Sequence, residues 1–415
     1  MQIFWQSWEH MQIFRQSEHI EVPTMKRLAL VFLMAGILLS GVPVKVAADD
    51  DANLQAAVKQ IDALAAAEYA KFNNLGSITV GVVQGRKLIW TRSYGYADIE
   101  KKELATKDTV YRIGGMTAKF TGLMLLQLVE AGKISLNDRV DKYFPEINTI
   151  QGRDPGDAPV TFYQLAIHTS GIANEPGDME TYRHGPVSSW EQTLIAALPH
   201  TKFVATPGAK YVYSNVGTAL LGAALSRVAG EPYISYVEKK IFAPLGMKHT
   251  SFELNPTIKP ALAKGYVVTG DKADGSIPER EHQGRGYKVP SGAVYTTVGD
   301  LARFISFELG KGPAGVLKKQ TLVGNYQRIE KLKRPSDEII GYGVGFQEMG
   351  CDDLSVIGYG GFVPGYHARS DFYWSAGVGF IVLRNIEGGR MHESTRMLSC
   401  KSISQLVATR HHANF

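Results

Sequence analysis

The stretch Tyr111 to Gly132, YRIGGMTAKFTGLMLLQLVEAG, constrains this chain more than any other. Gly114 and Gly115 end a β-like segment, TVYRI. From Met116 onward apolar residues recur at helical spacing, at Phe120, Leu123, Met124, Leu126, Leu128 and Val129, with Gln127 interrupting, and Gly132 closes the run. The pattern predicts a strand, a tight turn and a mostly buried helix. The N-terminus of such a helix presents backbone N–H groups and the positive end of a dipole. It is a place to set a nucleophile or to hold an anion.

Around this turn the chain alternates in blocks. Residues 53 to 74 read as an amphipathic helix ending near Asn73-Asn74. SITVGVVQGRKLIWTRSYGYAD reads as two strands joined at Gln84-Gly85-Arg86. Helical periods dominate from 116 to about 250, broken by the loops QGRDPGDAPV and IANEPGDMETYRHGP. PSGAVYTTVGDLARFISFELGKG predicts a turn, a short strand and a helix capped at Asp300. Strands follow in IGYGVGFQEM, LSVIGYGG, YHARSDFYW and AGVGFIVLRN, then a helix over roughly 393 to 408. This order implies an α+β fold: an antiparallel sheet flanked by helices (about 49–112 and 286–410), split by an inserted all-α part (about 113–285). A site is expected in the cleft between the two parts.

The N-terminus has its own logic. Met25-Lys26-Arg27 precedes LALVFLMAGILLSGV, then VPVKVAA and an acidic DDD. A basic start, an apolar run of about fifteen residues and small residues at Val46 and Ala48 predict a signal peptide over 25–48 and an exported, periplasmic or secreted product. The run is short for a membrane span, so none is expected after cleavage. MQIFWQS at Met1 and MQIFRQS at Met11 repeat each other, and 1–24 reads as a mis-assigned leader. Two cysteines exist, Cys351 and Cys400. In an exported protein they could pair, but two unpaired thiols is the reading we adopt.

A net charge of +5 is spread along the chain, and the densest basic run, Lys331 to Arg334, follows Glu330. That is a solvated loop rather than a nucleic-acid surface. The histidines show no ligand spacing, and no G-x-S-x-G, H-E-x-x-H or phosphate-binding loop is present, so neither a metal nor a cofactor is expected.

The pivotal stretch, with LLQLVEAGKISLNDRVDKYFPEI running on from it, resembles the serine β-lactamase and penicillin-binding protein superfamily, nearest its class C β-lactamase, D,D-peptidase and esterase branch. There the turn carries S-x-x-K, a serine nucleophile with a lysine one turn on to take its proton. In this register the serine position is Gly115 and the lysine position Ala118. A second match, PGAKYVYSNVGTALLGAALSRVAG, puts Tyr213 and Asn215 where the branch has Y-x-N; the resemblance implies a proton-shuttling phenol and a substrate-holding amide. A third, IGYGGFVPGY, puts Tyr359 and Gly360 where the branch has the basic residue and threonine of H-T-G or K-T-G, and keeps Gly361 and Pro364-Gly365. The resemblance implies an oxyanion hole from the backbone N–H groups of Gly115 and Phe362. LAIHTSGI and SGAVYTTVGDLARF are scaffold matches, so Ser170 reads as part of a structural turn.

A phenol titrates near 10 and needs a nearby cation to act as a base at neutral pH. With alanine at 118, the nearest candidate is Lys119, turned by about 100° on the helix. Tyr213 reads equally as a buried, locally bonded tyrosine. Four readings follow. The chain is an impaired homologue binding a peptide-, peptidoglycan- or ester-like small ligand; or an active hydrolase in which Lys119 or Tyr213 activates water; or an inactivated copy of an ordinary serine hydrolase; or a purely structural interaction protein. A cleft rich in aromatics (Tyr111, Tyr213, Tyr359, Phe362, Tyr366) speaks against the last, and the first is adopted.

Overall fold

Alternation sets the sheet. In SITVGVVQ, Ile78, Val80 and Val82 fall on one face and Thr79, Gly81 and Val83 on the other. The computed structural model describes residues 46–411 except 270, 271, 283, 335 and 337. The signal-peptide and leader expectations therefore lie almost wholly outside the described residues. The strands are β1 (Ser77–Gln84), β2 (Lys87–Asp98), β3 (Glu103–Leu104), β4 (Tyr111–Arg112), β5 (Tyr266–Thr269), β6 (Lys272–Asp274), β7 (Tyr295–Thr296), β8 (Glu330–Lys333), β9 (Ile339–Gly343), β10 (Phe346–Cys351), β11 (Leu354–Val363), β12 (Tyr366–Tyr373), β13 (Val378–Arg384) and β14 (Ile386–Glu387). Nine form an antiparallel sheet in the order β3-β2-β1-β13-β12-β11-β10-β9-β8. The first and last thirds of the chain thus meet at β1 and β13, with Val80 opposite Val382.

The five longest helices are α1 (Val46–Ala70), α2 (Ala118–Glu130), α3 (Asn215–Ala229), α4 (Val298–Glu308) and α5 (Met391–His411). α1 and α5 cover one face of the sheet, where Ile61, Ala65, Leu398, Ile403 and Leu406 pack on Ile78, Val80, Phe380 and Val382. α4 lies on the other face. It comes close because Gly81 and Gly379 carry no side chain: a Cβ there would stand 2.6 Å from Val298 and from Ile305. α2 and α3 belong to the larger core behind that face, with Phe120, Leu123, Leu220 and Leu225 buried.

Four expectations need correction. The first helix ends at Ala70, because Asn73 and Asn74 take left-handed φ of 56° and 55°. Thr297, not Asp300, caps α4: its hydroxyl accepts from the Asp300 N–H at 3.2 Å, and the Asp300 carboxylate accepts from Thr250 and the His249 N–H. The inserted part is not wholly helical, since β5 and β6 pair within it. Cys351 and Cys400 are bonded, because α5 packs against the sheet and brings their Cα atoms to 5.3 Å.

Candidate active site cleft

The turn before α2 is held by a glycine-to-glycine contact with β11. Gly114 has φ +49°, and a Cβ there would come within 2.6 Å of the Phe362 carbonyl carbon; a Cβ on Gly361 would come within 2.6 Å of the Met116 nitrogen. Backbone meets backbone, which no side chain would permit. This contact places Gly115 at the floor of a cavity of about 560 Å³, with Gly360, Gly361, Phe362 and Tyr359 along one wall.

Gly115 differs from its neighbours. Its φ is ordinary, and a Cβ would lie nearest the Tyr213 hydroxyl at 3.2 Å, the Gly360 carbonyl oxygen at 3.7 Å and the Gly361 Cα at 3.8 Å. The backbone does not require glycine here, and a Cβ would need the end of the Tyr213 side chain to give by a few tenths of an ångström.

Tyr213 and Asn215 reach the cleft because Ser214 between them points inward as the cap of α3. Its hydroxyl accepts from the Gly217 N–H and donates to the Ala173 carbonyl, both at 2.8 Å. The Tyr213 hydroxyl donates to Asn215 Oδ1 at 3.4 Å, and Asn215 Nδ2 donates to Glu175 Oε1 at 2.8 Å. Burial raises the Tyr213 phenol above its ordinary value, and Tyr211 and the Glu175 carboxylate raise it further. At neutral pH Tyr213 is therefore a hydrogen-bond donor and not a base.

Lys119 does not reach the cleft. It is buried on another face of α2, where Nζ donates to Glu308 Oε2 at 2.9 Å and Ser370 Oγ at 3.0 Å. One residue's rotation along a helix is enough to exchange the cleft for the core. Ala118 also lies off the cleft. It borders a void of about 10 Å³ with Leu165, His168, Thr218 and Tyr359, about the room of one water.

Tyr359 fills the region where the resemblance expects a basic residue. Its buried hydroxyl lies 3.4 Å from both His168 Nε2 and Tyr342 Oη. The Ser214 N–H donates to His168 Nδ1 at 3.2 Å, which leaves the ring proton on Nε2, aimed at Tyr359. Burial pushes His168 down to about 3, so the ring is neutral. Tyr359, His168 and Tyr342 thus form a neutral network.

Of the other aromatics, Tyr111 and Tyr366 are not in the cleft lining. Tyr111 bonds Ser77 and Thr79 inside the core, and the Tyr366 hydroxyl donates to the Ala263 carbonyl at 2.6 Å. Ser170 is buried, its Oγ 3.4 Å from the Ile172 N–H, away from the cleft. The lining does include Ser291, but that hydroxyl is directed to the Lys288 carbonyl oxygen at 3.3 Å.

The sequence reading missed Glu175, Lys288, Arg285 and Arg183, all in the lining. Lys288 Nζ donates to Glu175 Oε1 at 2.7 Å, and the Tyr287 hydroxyl donates to Glu175 Oε2. The signal was present only as two turn-like segments more than a hundred residues apart, ANEPGDMETYR and GRGYK.

A family model described as Beta-lactamase matches residues 59–398. "Beta-lactamase-like protein 2" of Dictyostelium discoideum is 32% identical over 284 residues, covering 68% of this chain and 50% of that protein. The chain spans about half the length of the curated relatives it matches. Among solved structures, the octameric penicillin-binding protein homologue from Pyrococcus abyssi superposes with TM-score 0.70 at 24% identity, covering 85% of this chain and 77% of that one. A class C beta-lactamase in complex with cefoxitin gives TM-score 0.68 at 21% identity, covering 85% of this chain and 99% of that one. At these identities the two structures speak for the fold alone, which is α+β of the β-lactamase and penicillin-binding type.

Proposed function

The chain belongs to the beta-lactamase family, and from that premise we propose that it is an exported, catalytically impaired member that binds a peptide-, peptidoglycan- or ester-like ligand without turning it over. The observation that carries this reading is Gly115. The position sits on the floor of an open cleft, beside Tyr213, on backbone that does not demand glycine, and carries no side chain. No acyl-enzyme can form on glycine. In a serine hydrolase dissected residue by residue, loss of the nucleophile alone costs on the order of 10⁶ in turnover, roughly 8 kcal/mol of transition-state stabilisation. The binding surface is otherwise furnished: Tyr213, Asn215 and Glu175 offer one donor–acceptor chain along one wall, and Gly360 to Phe362 offer strand backbone along the other. The bond between Cys351 and Cys400 supports an oxidising compartment.

A second reading, hydrolysis by water held near Tyr213, is favoured by the short distance between that hydroxyl and the vacated position. Incubation with a chromogenic cephalosporin and a short-chain nitrophenyl ester, alongside Tyr213→Phe, separates the two. Saturable binding without product is expected. Product formation that drops in Tyr213→Phe would replace the binding reading with the hydrolytic one.

A further inference from the structure

The two terminal helices leave a furrow where they lie side by side on the sheet. Leu64 and Ala67 of α1 face Met397 and Leu398 of α5 across it, and its volume is about 450 Å³. It shares no lining residue with the Gly115 cleft. On the α5 side it runs from Arg390 to Lys401, about 16 Å of helix, which leaves a channel about 6 Å wide.

That width decides what fits. An α-helix with its side chains needs about 10–12 Å and is too broad. An extended peptide is narrow enough, but its N–H and C=O groups need partners. The walls are helix interiors, whose own backbone groups are bonded within α1 and α5. They offer side chains only. An unbranched alkyl chain is narrow and asks for no hydrogen bonds. Met397, 44% exposed, is the kind of adaptable thioether that packs on such a chain.

The charges around the furrow are sorted. Its two carboxylates are already taken: Glu68 accepts from Arg384 Nη1 and from Ser394 Oγ, both at 2.9 Å, and Glu393 accepts from Arg396 Nε at 3.1 Å and Nη2 at 3.0 Å. Its cations are not paired in this way. Lys71 donates to Ser394 Oγ, a hydroxyl that is 5% exposed and holds the ammonium at the mouth. Among the described residues neither Arg390 nor Lys401 pairs with a carboxylate. Lys71 and Arg390 stand at the same end, beside the start of α5, where the helix dipole also favours an anion. Lys401 stands at the other end, where its stem extends the apolar floor and its ammonium stays in water.

We propose that this furrow binds a free fatty acid, its carboxylate against Lys71 and Arg390 and its alkyl chain along Leu64, Ala67, Met397 and Leu398. Burial of the chain drives binding, and the two cations select the head and make the affinity fall with salt. The site is independent of what the Gly115 cleft binds.

The test titrates decanoate calorimetrically into the purified protein, below its micelle concentration, beside decyltrimethylammonium and hexanoate. Decanoate is expected to fill one saturable site at least about tenfold more tightly than either. Met397→Glu is expected to weaken decanoate at least about tenfold, and Lys71→Gln with Arg390→Gln to erase most of the preference over the cationic probe. Phe362→Ser, in the cleft, is expected to leave decanoate binding unchanged. The proposal is overturned by absence of saturable binding or by equal binding of the cationic probe. Affinity that survives both furrow variants, or that falls in Phe362→Ser, also overturns it, as does binding to phosphatidylglycerol vesicles without binding of decanoate.

Discussion

A Cβ on Gly115 would stand 3.2 Å from the hydroxyl oxygen of Tyr213. The hydroxyl is the end of a side chain that can yield by a few tenths of an ångström. Gly115→Ser is therefore expected to fold with less than about 1 kcal/mol of lost stability. A urea titration checks this, and a loss above about 2 kcal/mol would show that the turn itself requires glycine.

Ala118→Lys faces a different wall. The void beside it is about 10 Å³, bounded by Leu165, His168, Leu221 and Tyr359. Overpacking of this kind costs about 1–3 kcal/mol. The double variant Gly115→Ser, Ala118→Lys is expected to be less stable than the parent yet to gain labelling by a fluorescent penicillin. A folded double variant that takes no label would mean that the tyrosine–histidine network has displaced more of the chemistry than two side chains.

Lys119 and Glu308 form a buried ion pair at 2.9 Å, with side chains 1% and 6% exposed. Removing one partner strands the other charge, so Lys119→Met is expected to cost about 3–5 kcal/mol, whereas Lys119→Met with Glu308→Leu recovers most of it. Ligand binding in the double variant should equal that of the parent, since neither residue faces the cleft. Denaturant melts and a binding titration on the same preparations test both statements.

Acid should destabilise the protein through its buried histidines. His168, His282 and His367 are each pushed by burial from 6.5 down to about 3. Between those values the unfolded chain binds protons that the folded one refuses, so stability rises with pH through that window and is level above it. Each group contributes up to about 1.4 kcal/mol per pH unit. Thermal melts from pH 7.5 downward should fall steadily below about pH 6.5. His168→Asn, which suits the left-handed backbone at that position (φ +60°), should make the decline shallower. An unchanged slope would remove His168 from the account.

Reduction should matter as well. Cys351 ends β10 and Cys400 lies in α5, at a sequence separation of 49. Opening a loop of that length removes about 2–4 kcal/mol. A reductant-dependent fall in Tm that Cys400→Ser abolishes is the expected signature.

Much of the fold was legible because it is periodic. Alternation in SITVGVVQ and GVGFIVLRN marks strands, and the 3.6-residue recurrence from Phe120 to Val129 marks a buried helix; both signals are local. The glycines of the pivotal turn were also legible, as were Tyr213 and Asn215, whose spacing around a capping serine is a property of one short segment. The wall made by Glu175, Arg183, Arg285 and Lys288 was not. Its partners lie more than a hundred residues apart, and nothing in either segment announces the other. The pairing of Cys351 with Cys400 was hidden for the same reason, as it depends on how α5 lies on the sheet.

The sequence by itself determined which elements form, that the turn into the buried helix carries glycine at 115 and alanine at 118, and that a phenol and an amide, Tyr213 and Asn215, flank a capping serine. These follow from residue type and spacing along one segment. Only the tertiary structure decided that Lys119 turns to Glu308 and not to the cleft, that Tyr359 meets a neutral His168, and that Arg183, Arg285 and Lys288 line the same cavity. Those outcomes depend on which faces are buried against which, and burial sets both the direction of a side chain and the charge it can carry.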